Sequence, residues 1–156
     1  MDALNLPTYK FRTQARGDAR AIYDPLRDRY VRLTPEEWVR QHFVQYLIQE
    51  LGVPAGLIAI EAAFRFQDQP RRADVIVHDR QGDPLLLVEC KAPRVSIAQD
   101  AFDQGARYNI VLQAPYLVVT NGQTHYACAI DFSDQSYTFL DDLPPYDVLL
   151  SRADGP

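Results

Sequence analysis

Three side chains near the middle of the chain, Asp74, Glu89 and Lys91, have the types and spacing to do chemistry together. They sit in a stretch, residues 71–91, with two short apolar runs at 73–77 and 85–88. Between the runs lies Asp-Arg-Gln-Gly-Asp-Pro, a polar turn, so the stretch predicts a β-hairpin. The second run is continuously apolar, as in a central strand covered on both faces, yet it leads straight into Glu89, Cys90 and Lys91. Side chains alternate along a strand, which puts Glu89 and Lys91 together and Cys90 on the other face with Leu86 and Val88. Asp74 is expected on the face of Ile76. A register that sets Asp74 beside Glu89 brings two carboxylates and an ammonium to one end of a sheet. Carboxylates so placed repel unless a cation lies between them. A hard divalent ion such as Mg2+ suits oxygen ligands of this kind, and a neighbouring lysine can act on a water or offset charge on a phosphoryl group. The chemistry indicated is metal-assisted phosphodiester hydrolysis. Lysine is otherwise scarce: the chain has fourteen arginines but only Lys10 and Lys91, and an ammonium tunes its pKa where a guanidinium hardly can.

The elements that must position this trio are partly legible. Thr34-Pro35-Glu36-Glu37 predicts a helix start, with Thr34 as N-cap, Pro35 in the first turn and Glu37 completing a capping box. That helix runs to about Leu51 and ends at Gly52, with Val39, Phe43, Leu47 and Leu51 as its apolar stripe. Glu36 and Arg40 fall inside the stripe, which an i,i+4 ion pair or an inward-facing function would explain. Residues 57–66 predict a strand with Ile58, Ile60, Ala62 and Phe64 on one face; Glu61, on the other, reads first as solvated and second as a further acid near the site. Ser96 and Gln99 are expected to cap a second helix that extends to about Val111 and carries Gln104 and Tyr108 on one face. Strands are expected at 116–120 and 125–130, joined through Asn121-Gly122, and at 136–140, followed by a turn and a short terminal segment. Residues 1–32, with six arginines in a mixed pattern, give no clear element and are expected to pack as an arm, as cover for a sheet edge or as a DNA contact.

Composition narrows the classes. One domain of 156 residues with ordinary apolar and charged fractions is expected, with no membrane-spanning run and no signal-peptide pattern, so a cytoplasmic location is the default. Net charge is −5, which argues against a strongly basic DNA-coating surface and confines any nucleic-acid face to the more basic N-terminal two thirds. Cys90 and Cys128 read as buried free thiols, and His42, His78 and His125 have no metal-site spacing. There is no Gly-rich phosphate loop.

Asp74 followed by Glu89-Cys90-Lys91 resembles the Asp…Glu-x-Lys signature of the restriction-endonuclease-like, PD-(D/E)xK, nuclease superfamily. The likeness is closer to the N-terminal nuclease domain of type I restriction enzyme R (restriction) subunits. It is carried by Pro35-Glu36-Glu37-Trp38-Val39-Arg40-Gln41, Arg72-Ala73-Asp74, Val88-Glu89-Cys90-Lys91-Ala92-Pro93 and the Gln-x-x-x-Tyr of Gln104 and Tyr108, and covers about residues 33–131. The resemblance implies an α/β fold, a three-layer α/β/α sandwich around a mixed β-sheet, with 1–32 as an N-terminal arm, 33–131 as the nuclease-like core and 132–156 as a C-terminal strand and tail. It implies a Mg2+-dependent DNA endonuclease, with Mn2+ able to substitute. Asp74, Glu89 and the Cys90 backbone carbonyl would hold the ion, and Lys91 would act on the water or the scissile phosphate. Glu36 on the first helix, with Glu37 as alternative, would add a carboxylate. Gln104 and Tyr108 would contact the substrate backbone, with Arg107 and Arg40 as phosphate partners. The partners implied are DNA, a helicase or motor or other restriction subunits, and a second copy of the chain. The rival reading is a catalytically weak DNA-binding or assembly module, since the chain carries no ATPase motif; an acid-base enzyme on a small substrate ranks last.

Overall fold

The hairpin read from residues 71–91 lies at the centre of a six-stranded sheet in a computed structural model that describes residues 1–153. In chain order, β1 (Thr13–Arg16), β2 (Ala19–Asp24) and β3 (Arg29–Arg32) precede the helix α1 (Pro35–Gln49). The main sheet then begins with β4 (Ile58–Phe66), β5 (Gln69–His78) and β6 (Pro84–Cys90), crosses through α2 (Gln99–Leu112), and continues with β7 (Tyr116–Thr120), β8 (His125–Asp131) and β9 (Ser136–Leu140) before α3 (Tyr146–Ala153). Strand order follows sequence order from β4 to β9, and only β6 and β7 are parallel. That parallel step is the one connection long enough to need a helix, and α2 supplies it.

The sheet is covered on both faces. On one face, α1 and α3 bury Val39, Phe43, Leu47, Tyr146 and Leu149 against Val75, Leu86 and Val88. On the other, α2 brings Phe102 against Ile76, Leu87 and Leu117. β6 is buried along nearly its whole length because each of its faces meets a layer, as its continuous apolar run requires. Cys90 lies with Leu86 and Val88 as expected, and both cysteines are buried free thiols.

Several local expectations change. Residues 1–32 are not a featureless arm: 13–32 form an antiparallel three-stranded sheet of their own. Thr34 caps α1, its hydroxyl accepting from Glu37 N at 3.0 Å, but the Glu37 side chain does not return to close a capping box. It turns instead to Arg27 and Arg40. α2 starts after Ala98 with no side-chain cap, so the Ser96–Gln99 box does not form. The terminal segment is a helix through Ala153, so 151–153 of the tail expected to be loose at 151–156 are helical; the rest, 154–156, lies outside the described residues. Among the described residues no helix is long and apolar enough to cross a membrane.

Candidate active site

Asp74 is brought to Glu89 by the register of the central hairpin. Val75 pairs with Val88 and Ile76 with Leu87, so the next step along both strands sets Asp74 against Glu89. Ladder pairing stops there because Asp74 Oδ2 accepts the Cys90 backbone N–H at 2.8 Å. β5 also changes face at this residue: Val75 and Val77 pack toward α1, while Ala73 packs toward α2. Asp74 is therefore not on the face of Ile76 as expected; Ile76 lies under α2, and Asp74 Oδ1 reaches Arg40 of α1 at 3.2 Å.

β4 makes the same change at Glu61. Ile58 and Ile60 pack toward α1, whereas Ala59, Ala62 and Phe64 pack toward α2, so the expectation that Ile58, Ile60, Ala62 and Phe64 share one face fails. The cause is the backbone of Glu61, with φ +51°, a left-handed conformation that a glutamate rarely adopts and that shifts the alternation by one residue. Ile60 pairs with Val75 and Ala62 with Ala73, leaving Glu61 and Asp74 opposite each other and unladdered. Such strain persists where the surroundings enforce it and is common at functional sites. Here it keeps a third carboxylate at the same place: Glu61 is held by Arg27 at 3.2 Å and by Arg40 at 3.5 Å, with the exposed Arg72 at the rim. The solvated reading of Glu61 is corrected accordingly.

Two arginines join these carboxylates to the N-terminal sheet. Arg27, in the β2–β3 turn, pairs with Asp24 at 2.6 Å, with Glu37 and with Glu61. Arg40 pairs with Glu37 at 2.6 Å, with Asp74 and, at 3.7 Å, with Glu36. Arg40 is only 6% exposed, so it serves as an internal clamp on carboxylates and not as the open phosphate contact expected of it. Burial pushes the Asp24 carboxyl up, but Arg27 and an amide donated by Gln41 at 3.0 Å outweigh it and hold the group below the usual range. For Glu37 burial prevails over Arg40 and Arg27, and its carboxyl is raised.

Glu89 is the least satisfied group of the site. It is 6% exposed, and its Oε1 is buried with no hydrogen-bond partner. Burial, reinforced by the charge of Asp74 and opposed by Lys91, pushes its carboxyl up to about 8. Glu36 is also raised, by burial and then by Asp74, against Arg40 and Lys91. Of the two candidate helix carboxylates, Glu36 is the one that feels Asp74 and Lys91 and stays half-exposed, while Glu37 is buried under the arginines. Six carboxylates, Asp24, Glu36, Glu37, Glu61, Asp74 and Glu89, thus surround three inner cations, Arg27, Arg40 and Lys91. Among the described residues no three His, Cys, Asp or Glu side chains close around a single point. A divalent ion here would draw on Asp74, Glu89 and backbone or water oxygens, and the deficit of positive charge with the orphaned Glu89 oxygen fits such an ion.

α2 closes the other side of Glu89. A Cβ at Gly105 would stand 3.5 Å from Glu89 Cγ and 3.3 Å from Leu117 Cδ1, so the glycine sets how near the helix comes. Its neighbour Gln104 donates a long hydrogen bond, 3.4 Å, to the Tyr108 hydroxyl, and Tyr108 packs edge-on against Phe64 and Phe66. Arg107 is exposed and lies over Phe66, the last residue of β4, away from the carboxylates. Sequence reasoning misses Asp24, Arg27 and Gly105 as members of the site, and gives Glu37 and Glu61 only as second readings. The mid-helix glycine was the visible signal for one of them.

A mixed sheet covered by helices on both faces is of the restriction-endonuclease-like α/β class. The chain belongs to the type I restriction enzyme R protein N-terminus (HSDR_N) family, whose model matches residues 35–144. Its fold is similar to a fragment structure of an HsdR subunit of a type I restriction enzyme from Vibrio vulnificus YJ016, with a TM-score of 0.58, 22% sequence identity and 79% of this chain covered. The match takes in 26% of that chain, so this chain spans about a quarter of the fragment's length. Among curated proteins no match is found.

Proposed function

We propose that the chain is the nuclease domain of a restriction subunit, hydrolysing phosphodiesters in DNA with Mg2+, and that it acts beside a motor or other subunits of a restriction complex. The observation that carries this reading is Glu89: a buried carboxylate with an unpartnered oxygen, beside Asp74 and Lys91, in a site short of positive charge. Asp74, Glu89 and the Cys90 carbonyl would hold the ion, with Mn2+ as a substitute. Bound there, Mg2+ would polarise the scissile phosphate and acidify a water. Arg40 fixes the Asp74 carboxylate through Oδ1, and the Cys90 N–H fixes it through Oδ2, so the ligand is already oriented. Lys91 supplies the ammonium next to the attacked phosphate. Glu36, half-exposed and with its carboxyl raised by burial, would take a proton from water or add a ligand.

The test is nicking of plasmid and linear duplex by the wild type, Asp74→Ala and Lys91→Ala in Mg2+ or Mn2+, with Mg2+ binding followed by calorimetry. Both variants are expected to lose at least about 100-fold in rate. Equal cutting by all three would sink the assignment. The alternative, a catalytically weak DNA-binding or assembly module, draws support from Asp74 having both oxygens engaged by protein donors; wild type that neither binds the ion nor cuts would favour it.

A further inference from the structure

The outer face of the small N-terminal sheet has a composition that neither the core nor the carboxylate cluster accounts for. Residues 10–32 carry seven basic and three acidic side chains, a net +4 in a chain whose total is −5. The register sorts them. Tyr23 pairs with Tyr30 and Ala21 with Arg32, while Gln14 lies across from Ala21 and Arg16 across from Ala19, so these side chains share one face. The other face carries Ile22 and Asp24, both fully buried. On the outer face the Tyr23 and Tyr30 rings meet edge to face at 5.3 Å. The Arg12 guanidinium lies 4.0 Å over the Tyr23 ring, and Arg16 reaches across the small Ala19 and Ala21 to lie 5.6 Å over Tyr30. Arg12, Arg16 and Arg32 are all exposed.

We propose that this arginine-over-tyrosine face is a binding platform for single-stranded DNA that feeds the carboxylate site. Aromatic faces interleaved with guanidinium groups match what a single strand presents: flat unpaired bases and a phosphate at every step. Bases take the Tyr23 and Tyr30 faces, and the arginines that rest there move onto phosphates. Tyr23 and Tyr30 are half-buried, each with part of its ring open at the surface, and a paired duplex, which hides its base faces, has no use for them. The platform is continuous with the site, because its Tyr30 and Arg32 line one wall of a groove of about 730 Å³ whose other lining includes Glu36, Glu61 and Ala92, the residue after Lys91. Charge favours the same path, since the remaining chain carries −9 and repels phosphate. The inference rests on the nuclease reading for its direction, toward the site, but not for the platform itself.

The experiment measures fluorescence anisotropy of a labelled oligo-dT of about 12 nucleotides, and of a duplex of equal length, with the full chain in EDTA at several salt concentrations. The wild type is expected to prefer the single strand. Arg12→Ala with Arg32→Ala should weaken oligo-dT binding at least about tenfold and flatten the log-log salt slope by about 1.4, the share of two phosphates. Tyr30→Leu should weaken it about tenfold with the slope unchanged, and Tyr30→Phe should keep it. All three side chains lie on or beside the small N-terminal sheet, at its surface, and melting curves confirm that the variants fold. Equal binding by wild type and variants overturns the proposal, as does no binding by the wild type at low salt, or a duplex preference insensitive to Tyr30→Leu. The nuclease reading is judged separately, by cutting in Mg2+: a chain that binds oligo-dT but does not cut keeps the platform and loses the catalytic assignment.

Discussion

Glu89→Gln tests the most unusual feature of the site, because it replaces a buried carboxylate by a neutral group of the same shape. In the folded chain Glu89 titrates at about 8, against 4.5 for an ordinary glutamate. Below pH 4.5 the group is protonated in both folded and unfolded chains and contributes no pH dependence. Between 4.5 and 8 the unfolded chain releases a proton that the folded chain retains, so stability falls as pH rises; above 8 the loss is complete. One pH unit is worth about 1.4 kcal/mol, so the full window sets a ceiling of about 5 kcal/mol, and relaxation around a carboxyl flanked by the charges of Asp74 and Lys91 brings the expected loss to about 2–3 kcal/mol. For a chain of this size that is a melting-temperature difference of about 5–10 °C. The assay is thermal unfolding of wild type and Glu89→Gln from pH 5 to pH 9 without divalent ions. The variant should match the wild type near pH 5 and exceed it by that amount at pH 9. Glu36 and Glu37, whose carboxyls are also raised, act in both proteins and cancel in the difference. Adding Mg2+ at pH 8 should raise the wild type toward the variant and leave the variant unmoved, because an ion that binds only the folded state stabilises it. Curves that stay parallel within about 1 °C across the range would refute the burial of an ionisable Glu89 and, with it, the main support for the ion.

Two further substitutions probe the frame around it. Arg40→Met removes the clamp between Glu37 and Asp74 and leaves each carboxylate with one partner fewer; chemical denaturation should show a loss of about 3–5 kcal/mol at pH 7, shrinking as pH falls and Glu37, whose carboxyl is already raised by burial, takes up a proton. Gly105→Val drives a branched side chain at Glu89 and Leu117; it should cost about 1–3 kcal/mol and lower Mg2+ affinity in calorimetry, whereas unchanged affinity would show that α2 does not set the position of Glu89.

What the sequence makes legible is whatever repeats with a regular period. The apolar run of β6, the stripe on α1 and the Thr34 cap each follow from local spacing, and each is where the pattern puts it, except that α1 ends at Gln49 and leaves Leu51, the last residue of the expected stripe, just beyond the helix. The family carried the rest of the central reading, since Asp…Glu-x-Lys alone fits too many chains. Regular spacing could not reveal the departures from it. Strand alternation assigned Glu61 to one face and Asp74 to the face of Ile76, and both assignments fail because two adjacent strands change face at the same level. The φ of +51° at Glu61 has no local signature, as glutamate is not a residue that favours it. It is enforced by tertiary charge: Arg27 and Arg40 hold that carboxylate, one from a turn 34 residues away and the other from the helix. Likewise β2 is only six residues long and buries Ala21 beside Ile22, so neither a period of two nor of 3.6 emerges from it. The site is thus built where local rules are broken on two strands together. A paired break in alternation, centred on carboxylates and spanned by buried arginines, is costly in a bare sheet, and it persists because five carboxylates, Asp24, Glu36, Glu37, Glu61 and Asp74, share two guanidinium groups that no single strand could supply.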